Sequence, residues 1–276
     1  MTKRSKAMND ERDLELRSGL IRIRVSGSGR PFVWTHGFTS SMESEDALGT
    51  SALFGGLPGV QLVRYDARGH GRSAPGRDEA ASAWPALAVD LLELSDRLGL
   101  ERPFAGGASM GVATALHAAV RAPRRFAGLV LVMPPTAWET RHGQADLYRG
   151  GASLVEARGV DGYLDAMRAA FRARPIPGFD EAMQEKMLDG MRTKTAEELV
   201  RLLRGAAASD LPSAAELAKL DLPTLLLPIR DDPGHPLSTA ERLATLLRGS
   251  ELHVLRDVSE LANARDTVAR FIARVG

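Results

Sequence analysis

At 276 residues and 29.7 kDa, the chain can build one substantial core, or a core carrying an insertion. Its 36 Lys and Arg offset 35 Asp and Glu, so no global field favours nucleic acid or an anionic membrane as partner. There is no cysteine, which excludes disulfides, thiolate catalysis and cysteine-held metals and fits a cytoplasmic protein.

Residues 1–12 are polar and charged and read as a flexible tail without the apolar stretch of a signal peptide. Leu14–Arg17 and Leu20–Val25 alternate apolar and polar residues around Ser18-Gly19, the pattern of a hairpin with one wet face. Pro31–Thr35 is a buried strand, followed by a helical segment over 42–54 and a strand over Val60–Tyr65. Leu87–Leu98 has helical spacing and stops at Gly99. A short strand over Pro103–Gly106, an alanine-rich helix over Val112–Arg121 and the apolar strand Leu129–Met133 follow.

Strands without alternation, separated by helices, indicate a parallel sheet covered on both faces. Between Pro134 and Lys219 no strand pattern occurs, only amphipathic helical stretches near 143–157, 161–173, 179–188 and 195–207. Sheet strands resume at Leu222–Ile229 and Leu252–Leu255, with helices over 239–247 and 262–275. The expected organisation is a core over 1–133 and 220–276, with a helical cap over 134–219 on the carboxyl ends of the strands. No run is long and apolar enough to cross a bilayer.

Gly107-Ala108-Ser109-Met110-Gly111 lies at a strand-to-helix junction. A serine in such a sharp turn exposes its hydroxyl, and small flanking residues let the strand and helix pass closely. Three further segments sit at strand ends: Trp34-Thr35-His36-Gly37-Phe38, Asp66–Ser73 (DARGHGRS) and Asp231–Pro236 (DDPGHP). With these four motifs in order, the chain resembles an α/β-hydrolase-fold protein with a helical cap. The resemblance implies a mostly parallel eight-stranded sheet with helices on both faces. It makes Ser109 the nucleophile and the Phe38 and Met110 amides the oxyanion hole. Asp232, with proline four residues on, becomes the acid, and Asp231 the alternative. His36 and Asp66–Ser73 read mainly as bracing turns. His36, Gly37, Trp138 and His142 are nonetheless candidates to line a substrate pocket, and Tyr148, Tyr163, Met167 and Phe171 could roof it or pack the cap.

The family's histidine follows the last strand, but here Ser259-Glu260 stands there. A serine hydroxyl needs a neighbouring base, and imidazole with a pKa of about 6.5 suits the task better than a carboxylate near 4.3. Two substitutes are open. Glu260 could share a proton with Asp232, like charge and burial raising one pKa. His235 lies three residues beyond Asp232 in the same loop. His253 falls inside a strand, and His117 on a buried helix.

Three functions compete: a hydrolase of small esters, lactones or thioesters; a non-hydrolytic lyase, isomerase or cyclase using Glu260; and a binding protein that has lost catalysis. No metal set, dinucleotide fingerprint or phosphate loop is present, so no cofactor is expected. The expected partner is a small, partly apolar substrate.

Overall fold

The computed structural model describes residues 10–275. Eight strands form one sheet: β1 (Asp10–Leu16), β2 (Gly19–Gly27), β3 (Arg30–Thr35), β4 (Val60–Tyr65), β5 (Phe104–Ala108), β6 (Gly128–Val132), β7 (Thr224–Leu227) and β8 (Glu251–Leu252). Their order is β1-β2-β4-β3-β5-β6-β7-β8. The β1–β2 and β2–β4 pairings are antiparallel, and all the others are parallel.

Asp10–Arg12, expected to be part of a flexible tail, instead extend β1 and pair with Ile23–Val25. Ladder hydrogen bonding along the edge outweighs their polar character. The rest of that tail, residues 1–9, lies outside the described residues.

The antiparallel end of the sheet shows the expected alternation: Ile21 and Ile23 are fully buried, while Arg22 and Arg24 face outward and pair with Asp13 and Glu11. The central strands are buried on both faces and split their side chains between two cores. Val33, Ala105, Leu129, Leu131 and Leu226 pack on one side with α2 (Trp84–Arg97), α3 (Met110–Arg121) and Leu243 of α8 (Leu237–Leu246). Phe32, Phe104, Val130, Val132, Leu225 and Leu227 pack on the other side with Val268, Phe271 and Ile272 of α10 (Arg265–Val275). Period-two alternation thus persists in the apolar runs, with both faces apolar.

Four helices occupy the long connection between β6 and β7: α4 (Arg141–Ala173), α5 (Glu181–Arg192), α6 (Ala196–Ala207) and α7 (Ala214–Leu217). Gly159, with φ of 71°, breaks α4 into two pieces across a kink, matching the two stretches expected from spacing. Reciprocal capping boxes open α6 (Thr195 with Glu198) and α7 (Ser213 with Glu216). This helical segment has its own apolar cluster, including Leu164, Leu188, Leu199 and Leu203.

The segment expected to be one helix over 42–54 is α1 (Met42–Leu48), ended by the left-handed Gly49, then a single tighter turn. The last strand is also shorter than expected. Beyond Leu252, one bridge from Ile229 to Leu255 continues the pairing. The short helix α9 (Glu260–Asn263) precedes α10.

Candidate active site

Ser109 follows β5 and sits at φ 52°, ψ −108°, a backbone region that side chains rarely occupy. The crossing of β5, β3 and α3 makes this bend possible. A Cβ on Gly107 would lie 2.5 Å from the Gly111 carbonyl carbon and 2.6 Å from the Thr35 carbonyl oxygen. On Gly111 it would lie 2.1 Å from that same Thr35 oxygen. Both glycines are therefore required by main-chain crowding. The strain at Ser109 is held by surrounding packing and by its own N–H, which donates to the Val132 carbonyl at 3.1 Å.

The Ser109 Oγ lies 2.8 Å from Nε2 of His235, and Nδ1 of His235 lies 2.8 Å from Oδ2 of Asp232. With Nδ1–H donating to the carboxylate, Nε2 is left to accept the serine hydroxyl. Asp232 and His235 occupy the loop between β7 and α8, where Pro233 and Pro236 each restrict the residue before them. The other Asp232 oxygen accepts the Gly234 N–H at 2.8 Å. Burial opposes charge on this carboxyl, but the His235 ring and the loop N–H groups more than offset it and hold its pKa below the ordinary value. Asp231 takes a left-handed turn position and is exposed.

The amides of Phe38 and Met110 have no acceptor among the described residues, and Phe38 and Ser109 line the same cavity. Gly37 also lines it. His36 does not. It is buried; its Nε2 accepts the Ala67 N–H at 2.9 Å, leaving Nδ1–H to donate to the Gly37 carbonyl at 2.7 Å. One ring nitrogen ties the loop after β3 to the loop after β4, and the other is used within its own loop.

Asp66 ties the same region together, accepting the Met42 and Arg72 N–H groups at 2.8 and 2.9 Å. His70 donates from Nδ1 to the Arg68 carbonyl, and its Nε2 is buried with no protein partner among the described residues. Burial, with the neighbouring His36 and Lys194, pushes its pKa well below the ordinary 6.5. The unfolded chain therefore binds this proton more readily. Stability from neutral His70 is fully present above about pH 6.5 and is lost as the pH falls below it, at up to about 1.4 kcal/mol per unit. Urea midpoints measured from pH 8 to pH 5 are expected to show this decline, with a shallower slope in His70→Asn.

Other expectations fail for identifiable reasons. Glu260 lies outside the cavity, at the surface, where it accepts the Arg256 N–H at 2.8 Å and pairs with that guanidinium. The Arg256 amide and side chain hold its carboxyl below its ordinary value, the opposite of what a base near neutrality needs. Trp138 is turned away from the cavity: its indole N–H donates to the Pro212 carbonyl at 3.1 Å, and Arg242 stacks on its ring. His142 is exposed and does not line the cavity. His253 is exposed near Glu251, and His117 bonds the Asp210 carbonyl.

The cavity measures about 600 Å³ and is mostly apolar, with Tyr148, Tyr163, Met167 and Phe171 all in its wall. Arg141 and Gln144 line it as well, two residues missed in the sequence. Their spacing with Tyr148 (three, then four residues) places all three on one helix face, and that spacing was the available signal. Among the described residues no group of three or more His, Asp or Glu side chains is placed to hold a metal.

A family model described as alpha/beta hydrolase fold matches residues 30–263. The chain belongs to the alpha/beta hydrolase fold family. This alpha/beta hydrolase is 28% identical over 245 residues to a non-heme haloperoxidase of Rhodococcus erythropolis, covering 84% of this chain and 86% of that protein. It is 24% identical over 203 residues to 3-oxoadipate enol-lactonase 1 of Acinetobacter baylyi, covering 74% and 73%. In fold it is similar to the crystal structure of the enol-lactonase from Burkholderia xenovorans LB400, at a TM-score of 0.76 and 19% identity, covering 95% of this chain and all of that one. It is thus an enzyme of hydrolase type. No helix among the described residues is long and apolar enough to cross a membrane.

Proposed function

We propose that the enzyme hydrolyses a small, partly apolar carboxylic ester, lactone or thioester through an acyl-enzyme on Ser109, without a cofactor. The observation that carries this is the continuous Ser109–His235–Asp232 chain, with both links at 2.8 Å. In the first step, His235 Nε2 takes the hydroxyl proton as Ser109 Oγ attacks the carbonyl carbon. The Phe38 and Met110 amides donate to the oxygen that gains negative charge, a contribution of about 2.7–4 kcal/mol for each such donor. Collapse breaks the bond to the leaving oxygen or sulfur, which receives the proton from His235. Water, deprotonated by His235, then attacks the acyl group, and the second collapse returns the proton to Ser109.

Asp232 holds the imidazole in the required tautomer and offsets its charge when protonated. Residues 134–219 act as a cap that supplies the apolar wall and keeps water from the acyl-enzyme. The enol-lactonase relative supports lactones as a substrate class. The non-hydrolytic reading rested on Glu260, whose carboxylate is occupied by Arg256.

The test is pre-steady-state turnover of a p-nitrophenyl ester together with labelling by a fluorophosphonate. A burst and a label that both vanish in Ser109→Ala are expected. No turnover and no labelling of the wild type, or turnover that survives Ser109→Ala, would overturn the proposal.

A further inference from the structure

Apart from Asp232, two charged side chains that are themselves buried line the cavity, Glu45 and Arg141. Glu45 is compensated: one oxygen accepts the Trp34 indole N–H at 2.7 Å, and the other pairs with Arg64 at 2.9 Å. Arg141 is different. It is 4% exposed, yet no carboxylate pairs with it among the described residues.

Its guanidinium donates from Nε to the Ser209 carbonyl at 2.7 Å, from Nη1 to Thr136 Oγ1 at 3.2 Å, and from Nη2 to the Ala206 carbonyl. The aromatic faces of Trp84 and Tyr148 lie 4.2 and 5.4 Å from its carbon. The carbonyl end of α6 and these rings offset part of the charge. Of the five N–H donors, three are used and two remain. Burial pulls the group below its ordinary pKa, with Tyr148 and Asp210 acting in the other direction. Gln144 and Tyr148, on the same face of α4, put an amide and a phenol beside it in a mostly apolar chamber.

We propose that Arg141, with Gln144 and Tyr148, seats a carboxylate carried by the substrate, so that the preferred substrates are esters or lactones bearing a second, acidic group. A carboxylate is the ligand that matches a planar cation with spare donors, and it would supply the counter-charge the protein omits. A mostly apolar chamber fits the hydrocarbon spine joining the acidic group to the scissile bond. This inference rests on the Ser109 hydrolase reading above for the reacting group, but the carboxylate seat can be tested separately.

The experiment compares p-nitrophenyl hemiesters of linear dicarboxylic acids, succinic through suberic, with neutral p-nitrophenyl esters of matched length. The best hemiester is expected to exceed its neutral partner in kcat/KM by roughly 10- to 100-fold, the range of a charge-assisted hydrogen-bonded pair. Arg141→Gln should collapse that ratio toward one, mainly through KM, Arg141→Lys should retain part of it, and Gln144→Leu should reduce it. A wild-type ratio at or below one, or a ratio unchanged in Arg141→Gln, overturns the proposal. Arg141 also closes α6, so Arg141→Gln could misfold; Gln144→Leu and Tyr148→Phe then decide, and an unchanged ratio in both overturns the proposal. Calorimetric titration of the free dicarboxylates into Ser109→Ala separates the two readings. Binding that Arg141→Gln abolishes supports the seat even if no ester is turned over. No binding of any dicarboxylate refutes the seat even if neutral esters are good substrates.

Discussion

Replacing His235 with alanine is expected to lower kcat/KM on an activated ester by about 10⁴-fold, whereas Glu260→Gln should leave it unchanged. The asymmetry follows from position. His235 stands between Ser109 and a buried carboxylate whose pKa is held down, so it can accept a proton and be stabilised once charged. Glu260 is partly exposed, lies outside the cavity and is bound to Arg256. Losses within such a relay do not add, so Ser109→Ala combined with His235→Ala should be barely worse than either alone. Steady-state kinetics of the four variants decide the matter. A large loss in Glu260→Gln with little change in His235→Ala would assign the base to the wrong loop in our account. The complementary substitution, Glu260→His, is expected to restore little activity to His235→Ala, because the side chain at 260 is directed toward Arg256 and away from the cavity.

The second large effect concerns stability. Gly111→Ala is expected to destabilise the enzyme by about 3 kcal/mol or more, because the added methyl would stand 2.1 Å from the Thr35 oxygen. In a chain of this length that corresponds to a fall in Tm of roughly 6–10 °C. The obstacle is main chain, so no rotamer change relieves it. Either β3 and α3 separate, which also displaces Ser109, or the protein unfolds. Gly143→Ala supplies the control. That position lies in α4 with nothing within 4 Å of a new Cβ, so the helix should gain about 0.5–1 kcal/mol. Differential scanning calorimetry of the two variants gives the contrast directly. Equal Tm values would show that close passage of backbone is not what selects glycine at 111.

These two cases also mark what could be read from the sequence. The parallel sheet was legible because Leu129–Val132 and Leu225–Leu227 are apolar without alternation, and because each motif stands where a strand ends. The bracing role of Asp66–Ser73 came from the segment's resemblance to a family turn, and Asp66 there accepts the Met42 and Arg72 N–H groups.

Side-chain direction was not legible. Arg141 and His142 are adjacent on α4, and only the packing of that helix against Trp84 and α6 turns the arginine inward and leaves the histidine in water. Trp138 could have roofed the cavity equally well by composition, but its N–H found the Pro212 carbonyl. His235 and Glu260 were both open because a loop's residues announce what they can do chemically and not where they point. The extra length of β1 and the brevity of β8 escaped because pairing is decided by the neighbouring strand, which local pattern does not contain.

The placement of His235 and Asp232 three residues apart has a mechanical consequence. When base and acid arrive on different loops, each wanders independently, and the alignment of the relay depends on two uncorrelated motions. Here the proposed base and acid share one short segment carrying Pro233 and Pro236, so they are expected to be displaced together. Their mutual hydrogen bond is then expected to tolerate loop movement better than the gap to Ser109, which spans two separate elements.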